Sequence, residues 1–305
     1  MKIIPYSADE TAAQLPYRAL VNAIKTVILD YAHGRVLAPE RQIVPMPGGG
    51  VMLSMPCTAS DLSIHKLVNV VQTNTAIGLP TINGIVAVYN STTGQLCGLL
   101  DGPTVTARRT AALSMLGIET LMPEQPPRHA VLIGTGTQAR AHAQALADLF
   151  PDISLSIVGR TPHKVEQFIQ EMHSLNVMCQ ASTAIPDTAD VVITLTTSKE
   201  PVYTLEGRTD RLVIGVGAFK PDLAELGAST LHSSQVYVDD LAGAHHEAGD
   251  LIQAHCDWHT VYPLAHALEQ GIDSSRPRVF KTVGCAAWDL AAARCAQHHQ
   301  SITKL

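Results

Sequence analysis

VLIGTGTQA, Val131 to Ala139, decides the fold: a short apolar run opens into a Gly-x-Gly-x-x-Ala turn and then a helical pattern. A dinucleotide site begins in this way. In such a strand–turn–helix unit Gly134 permits the tight turn, and Gly136 lets the backbone approach a pyrophosphate. The small Ala139 lets the helix pack close on the strand. Thr137 and Gln138 then stand in the first helical turn, whose N–H groups and dipole favour phosphate. Any Gly-rich link between a strand and a helix resembles this motif, so its weight depends on a second strand with a matching ribose-binding end.

Further along, ISLSIVGRTPHK reads as that second strand, Ile153 to Val158, running into a basic turn. A site for NAD places Asp or Glu at that strand end to bind the ribose 2′-hydroxyl. Here Arg160, Thr161 and Lys164 occupy the region. Two cations and a hydroxyl suit a 2′-phosphate, which predicts NADPH as the preferred cofactor with NADH weaker. The alternative is a solvated basic turn.

The chain has 305 residues, 46% of them hydrophobic, enough for one large or two medium domains with their own cores. A formal charge of −6 with no basic run argues against a nucleic-acid surface and leaves small-molecule chemistry as the expectation. Six scattered cysteines without CxxC pairs fit reduced thiols and a cytoplasmic location. MKIIPYSADETAAQLPY lacks an unbroken apolar core, and no run of 18 or more apolar residues occurs, so neither export nor membrane insertion is expected. Among fourteen histidines, the neighbours His245 and His246, His298 and His299, and the pair His255 and His259 have no carboxylate-supported ligand spacing. No metal site is expected.

From Ser7 to about Tyr31, an acidic start, apolar residues at helical spacing and a Gly stop predict one or two amphipathic helices. RQIVPMPGG, GVMLSMP, LSIHKLVNVV, GIVAVYN and QLCGLLD read as a mostly antiparallel sheet punctuated by Pro47–Gly50 and Ser91–Gly94. A helix follows over 104–121, and MPEQPPRH is a connector. Beyond it the expected series is VLIGT, helix, SLSIV, helix, VMCQA, a short helix, DVVITLTT, RLVIGVGA and QVYVDD. This alternation predicts an α/β protein with a Rossmann-type doubly wound parallel sheet. A last helix, Gly284 to about Gln297, is expected to return to the first domain. The domains are then 1–122 with 284–305, a discontinuous α+β substrate and dimerisation domain, and 123–283, the NADP-binding domain.

An anionic substrate needs fixed cations, and the first domain offers Arg41, Lys66 and Arg109. Lys66 stands in an otherwise apolar strand, where an unpaired ammonium is costly and a ligand carboxylate would offset the cost. An edge-strand lysine pointing to water is the other reading, and Arg41 and Arg109 read equally well as surface residues. Asp101, in LLDGP, either orients Lys66 or Arg109 or shapes the turn.

GLPTINGIVAVYNSTTGQLCGLLDGPTVTARRTAALS (78–114), with Lys66 upstream, GTGTQARAH (134–142) and the closing FKTVGCAAWDLAAA (280–293), resembles the ornithine cyclodeaminase and mu-crystallin family. The resemblance covers essentially the whole chain. It implies a substrate and dimerisation domain, a Rossmann domain and a homodimer. It also implies that Arg41, Lys66 and Arg109 hold a substrate carboxylate, with Lys66 a proton donor or acceptor. Thr81, Arg109, Gly134, Gly136, Thr137, Gln138, Ala139, Arg160, Thr161, Lys164, Thr196, Val216 and Thr282 fall where the family meets the dinucleotide.

Departures from the cyclodeaminase pattern select a branch. A cyclodeaminase carries an Asp shortly before the Pro of a GxDxPGKxEL-like segment and an acidic residue for NAD. In GAFKPDLAEL, Gly217 to Leu226, Phe219 takes the place of that Asp, and Asp222 aligns differently. These forms, with DGPTVTARRTAA, resemble the family's bacterial Δ1-pyrroline-2-carboxylate reductases, which implies reduction of a cyclic ketimine, five- or six-membered, to L-proline or L-pipecolate. Two alternatives remain: an alanine dehydrogenase-like reductive amination of a linear keto acid, and a non-catalytic NADPH-dependent ligand-binding protein of mu-crystallin type.

Overall fold

The computed structural model describes residues 5–303. The chain divides into two compact units, one taking residues up to Leu113 and from Cys285 onward, the other Ser114–Gly284.

In the first unit the N-terminal helical pattern resolves into two helices, α1 (Ala8–Ala13) and α2 (Tyr17–Ala32). Ser7 and Glu10 close a capping box on α1, each side chain accepting from the other's backbone N–H. On α2, Leu20, Val21, Ile24, Val27 and Ile28 form a buried stripe at helical spacing. The five expected strands are β1 (Gln42–Pro45), β2 (Val51–Thr58), β3 (Leu62–Val70), β4 (Ile82–Asn90) and β5 (Leu96–Asp101), in one antiparallel sheet in chain order. The β4–β5 turn is held by Asn90, whose side-chain oxygen accepts from the N–H groups of Thr92 and Thr93. Along β3, Leu62, Ile64, Lys66 and Val68 are buried. α3 (Gly102–Leu121) leaves β5 directly, and the boundary between the units falls within it.

The second unit carries β6 (His129–Ile133), α4 (Thr137–Leu149), β7 (Ser154–Val158), α5 (Pro162–Glu171), β8 (Met178–Ala181), β9 (Val191–Thr194) and β10 (Leu212–Gly215). There follow α6 (Ala228–His232), β11 (Gln235–Val238), α7 (Leu241–Glu247), α8 (Gly249–Gln253), β12 (Val261–Pro263), α9 (Leu264–Gln270) and β13 (Arg278–Lys281). The eight strands pair in parallel in the order β12-β11-β13-β10-β9-β6-β7-β8. Strand order reverses beside β6, the switch point where such sheets bind ligands outside their carboxyl ends. β9, β10, β11 and β13 are buried throughout, as a sheet covered on both faces requires.

Two expectations are corrected. The short helix expected before β9 does not form: STAIPDTAD runs through turns, with Ser182 bonding the Ala184 carbonyl and Pro186 restricting Ile185. Strands β12 and β13 extend the sheet beyond the expected set; β13 is framed by Arg278 and Lys281, charged residues that are nevertheless buried. The last helix, α10 (Ala286–Thr303), packs against α2, β2 and β3 within the first unit. Among the described residues no helix is long and apolar enough to cross a membrane.

Candidate functional site

Register puts Lys66 on the inward face of the middle strand of the five, where it is 2% exposed. An ammonium there demands a counter-charge. α10 supplies it: Lys66 Nζ donates to both oxygens of Asp289, at 3.0 and 3.1 Å, and Asp289 is wholly buried. Arg109, buried on α3, brings its Nε to 3.4 Å from the same carboxylate. Two buried cations therefore share one carboxylate and leave a positive charge over. Arg41, half-buried just before β1, adds to the like-charge pressure on Lys66. Burial lowers the Lys66 pKa to about 8; Asp289 opposes that fall, and Arg109 and Arg41 add to it. The cluster can hold a small carboxylate and present a proton near neutral pH.

Sequence reasoning placed Lys66, Arg109 and Arg41 in this neighbourhood but missed Asp289. The signal was present, an acidic residue in the apolar run AAWDLAAA. Asp101 does other work: its carboxylate accepts the Thr104 N–H at the start of α3, so the turn role offered for it is the one observed, and Asp289 is the partner of both cations. Thr81 lies just ahead of β4, its carbonyl accepting from Val71 N–H.

In the second unit, Gly134 has φ +125°, and a Cβ there would lie 2.7 Å from the Leu195 carbonyl oxygen, so the turn after β6 needs glycine for its own backbone. Gly136 is different. It has φ −84° and ψ −171°, open to any residue, and a Cβ would meet no atom of the chain within 4 Å. Its bareness leaves room for a ligand rather than for the protein. Gly136 also begins α4 with no side chain capping the helix, and the neighbouring Gln138 Oε1 is buried without a partner. Open space, uncapped N–H groups and an orphaned acceptor fit a dinucleotide. Ala139 is fully buried against the sheet.

Thr161 heads α5 with its hydroxyl uncommitted to capping, and Arg160 and Lys164 beside it are exposed. That turn abuts the first: a Cβ on Gly159 would lie 3.5 Å from the Thr135 methyl. Past β9, Thr196 is held through both its N–H and its hydroxyl by Glu225. Val216 donates to the Thr194 carbonyl, and Thr282, just after β13, donates to the Gly215 carbonyl. Phe219 is half-buried in the loop after β10, whereas Asp222 is exposed and pairs with exposed Lys199.

Gly136→Val is expected to leave stability within about 0.5 kcal/mol of wild type, since the new side chain touches nothing. It should weaken binding of a reduced nicotinamide dinucleotide about tenfold or more, read by titration of coenzyme fluorescence against thermal melts. A stability loss with unchanged binding would give Gly136 to the fold alone.

The sequence profile of the ornithine cyclodeaminase/mu-crystallin family matches residues 6–302. Delta(1)-pyrroline-2-carboxylate reductase 2 of Burkholderia ambifaria is 51% identical over 298 residues, covering 97% of this chain and 96% of the relative. The Delta(1)-pyrroline-2-carboxylate/Delta(1)-piperideine-2-carboxylate reductase of Azospirillum brasilense is 50% identical over 294 residues, 96% of this chain and 94% of the relative. Among solved structures, Thermococcus litoralis Delta(1)-pyrroline-2-carboxylate reductase in complex with NADH and L-proline superposes with a TM-score of 0.83 at 24% identity, covering 98% of this chain and 95% of the other. At that identity the superposition speaks for the fold.

Proposed function

The chain belongs to the ornithine cyclodeaminase/mu-crystallin family, and from that membership and the buried Lys66–Asp289–Arg109 cluster we propose an NAD(P)H-dependent reductase of cyclic ketimines. The substrate is Δ1-pyrroline-2-carboxylate, with Δ1-piperideine-2-carboxylate as a second ring size, and the products are L-proline and L-pipecolate. The observation that carries the reading is the charge count of that cluster, two buried cations on one carboxylate, which a substrate carboxylate completes. Names of relatives that share half of this sequence supply the ring.

Arg109 and Arg41 hold the substrate carboxylate by charge-assisted bonds, which fixes the ring in one orientation. Lys66 holds the proton that the imine nitrogen takes, and protonation there makes C2 electrophilic. When bound, NADPH supplies the hydride. Gly134, Gly136, Thr137, Gln138 and Ala139 would hold the pyrophosphate, Arg160, Thr161 and Lys164 the 2′-phosphate, and Thr196, Val216 and Thr282 would complete the dinucleotide site within the second unit.

The test is coenzyme consumption by purified protein with each imine, with pyruvate plus ammonia and with ornithine plus NAD in parallel. Turnover with the ring imine alone supports ketimine reduction. Activity with pyruvate plus ammonia would move the assignment to reductive amination, and silence in every arm would leave a ligand-binding protein. Arg160→Ala is expected to raise KM for NADPH about tenfold while leaving that for NADH near its starting value, because only the former carries the 2′-phosphate. Equal losses would remove Arg160 from that role.

The same reading includes a cytoplasmic homodimer. The cysteines are not joined in disulfides among the described residues, and Cys57, Cys285 and Cys295 are buried, which suits a reducing compartment. Val44, Met52, Leu67 and Ile85 are 53%, 44%, 39% and 38% exposed and lie on one face of the five-stranded sheet, an apolar patch that a second copy would cover. Leu67→Glu is expected to yield a folded monomer in sedimentation velocity; a wild-type protein that already sediments as a monomer would overturn the dimer.

A further inference from the structure

We propose that Glu225, held in turn by Asp250 and Lys281, is a positioning residue for the nicotinamide side of the dinucleotide site; the inference rests on the NAD(P)H reading above.

Glu225 is wholly buried in the loop between β10 and α6. One oxygen accepts from Thr196 N–H at 2.5 Å and the Thr196 hydroxyl at 2.8 Å. The other accepts from Gly217 N–H at 2.6 Å and the Thr194 hydroxyl at 3.0 Å. Four donors converge on one carboxylate, and two of them are backbone N–H groups that cannot reverse direction. A carboxamide of the same shape would turn its NH2 toward one of those N–H groups and lose the bond. One oxygen of Asp250 accepts from Glu225 N–H and from Leu226 N–H, so Glu225 is anchored through its backbone as well. The other Asp250 oxygen lies 2.9 Å from Lys281 Nζ, both side chains fully buried, and Lys281 Nζ reaches the Gly215 carbonyl at 3.4 Å.

Buried ion pairs contribute little stability relative to apolar packing of the same volume, so this network needs a reason beyond the core. Its placement supplies one. The network ties the carboxyl ends of β9, β10 and β13 together, and these strands lie on one side of the switch point at β6. Arg160 lies past β7, on the other side. A dinucleotide lying across the switch point with its 2′-phosphate near Arg160 puts its nicotinamide half toward the β9–β10–β13 ends. Thr196, Val216 and Thr282 stand there, and Glu225 fixes the first directly and the flank of the second through Gly217.

The experiment is calorimetric titration of Glu225→Gln with NADPH and with 2′,5′-ADP, which lacks the nicotinamide half, beside thermal melts of the unliganded protein. NADPH is expected to bind at least tenfold more weakly, with 2′,5′-ADP affinity unchanged. Equal weakening of both ligands, or no change in either, overturns the proposal. Thr194→Val deletes one donor to Glu225 in a buried isosteric frame and answers the question if Glu225→Gln does not fold: NADPH alone should weaken, and Thr194→Ser should restore it. Unchanged NADPH affinity in Thr194→Val would equally overturn the proposal. Failure of the wild-type protein to bind either ligand would instead sink the dinucleotide reading itself.

Discussion

Lys66→Met is expected to lower kcat with Δ1-pyrroline-2-carboxylate by roughly 10²–10⁴-fold, the usual worth of a positioned proton donor, while the protein stays folded. Methionine matches the length of the lysine stem and suits a buried strand position. Asp289 keeps Arg109 as its counter-ion, so the substitution does not strand a carboxylate in the core. The loss should fall on kcat, with KM for the imine changing less, because the proposed carboxylate ligand Arg109 is left in place. A variant with unchanged kcat and a raised KM would make Lys66 a carboxylate ligand and leave the proton to another group.

Asp289→Asn should move the pH dependence of kcat/KM. With the ammonium form of Lys66 as the proposed donor, the rate is expected to fall as pH rises through the lysine pKa, which burial brings down to about 8. Asp289 is what keeps that pKa from falling further, since its charge and its hydrogen bonds favour the ammonium. Removing the charge therefore moves the alkaline limb to lower pH, and at pH 8 kcat/KM is expected to drop about tenfold. At acid pH, where Lys66 is again charged, much of the rate should return. Stability also falls, because Lys66 and Arg109 then face each other without a counter-charge. A uniform loss at every pH would reduce Asp289 to a structural role, and an alkaline limb left in place would deny its influence on Lys66.

The sequence showed the architecture wherever burial and polarity agree. The five antiparallel strands alternate or run apolar between turn residues, and the Gly134–Ala139 turn announced the parallel sheet. It failed where charge is buried. β13, a strand outside the expected set, holds Arg278 and Lys281 at its two ends, and both are buried. Asp289 escaped for the same reason. Lys66 was noticed because a charge interrupts an apolar strand, and the same interruption in α10, more than two hundred residues away, went unpaired because no local pattern joins the two. The Glu225 network joins segments around Thr196, Glu225, Asp250 and Lys281, a grouping created only by parallel strands returning to one end of the sheet. Asp101, close in sequence to Arg109, proved a local helix cap, whereas the distant Asp289 is the ion-pair partner.

Ketimine reduction is tested most directly by deuteride transfer. The purified protein is mixed with Δ1-pyrroline-2-carboxylate and coenzyme carrying deuterium at the transferable C4 position, and the product is separated on a chiral phase and weighed by mass spectrometry. L-Proline bearing one deuterium at C2 is the expected result. Proline without the label, or coenzyme left unoxidised beside intact imine, would contradict it.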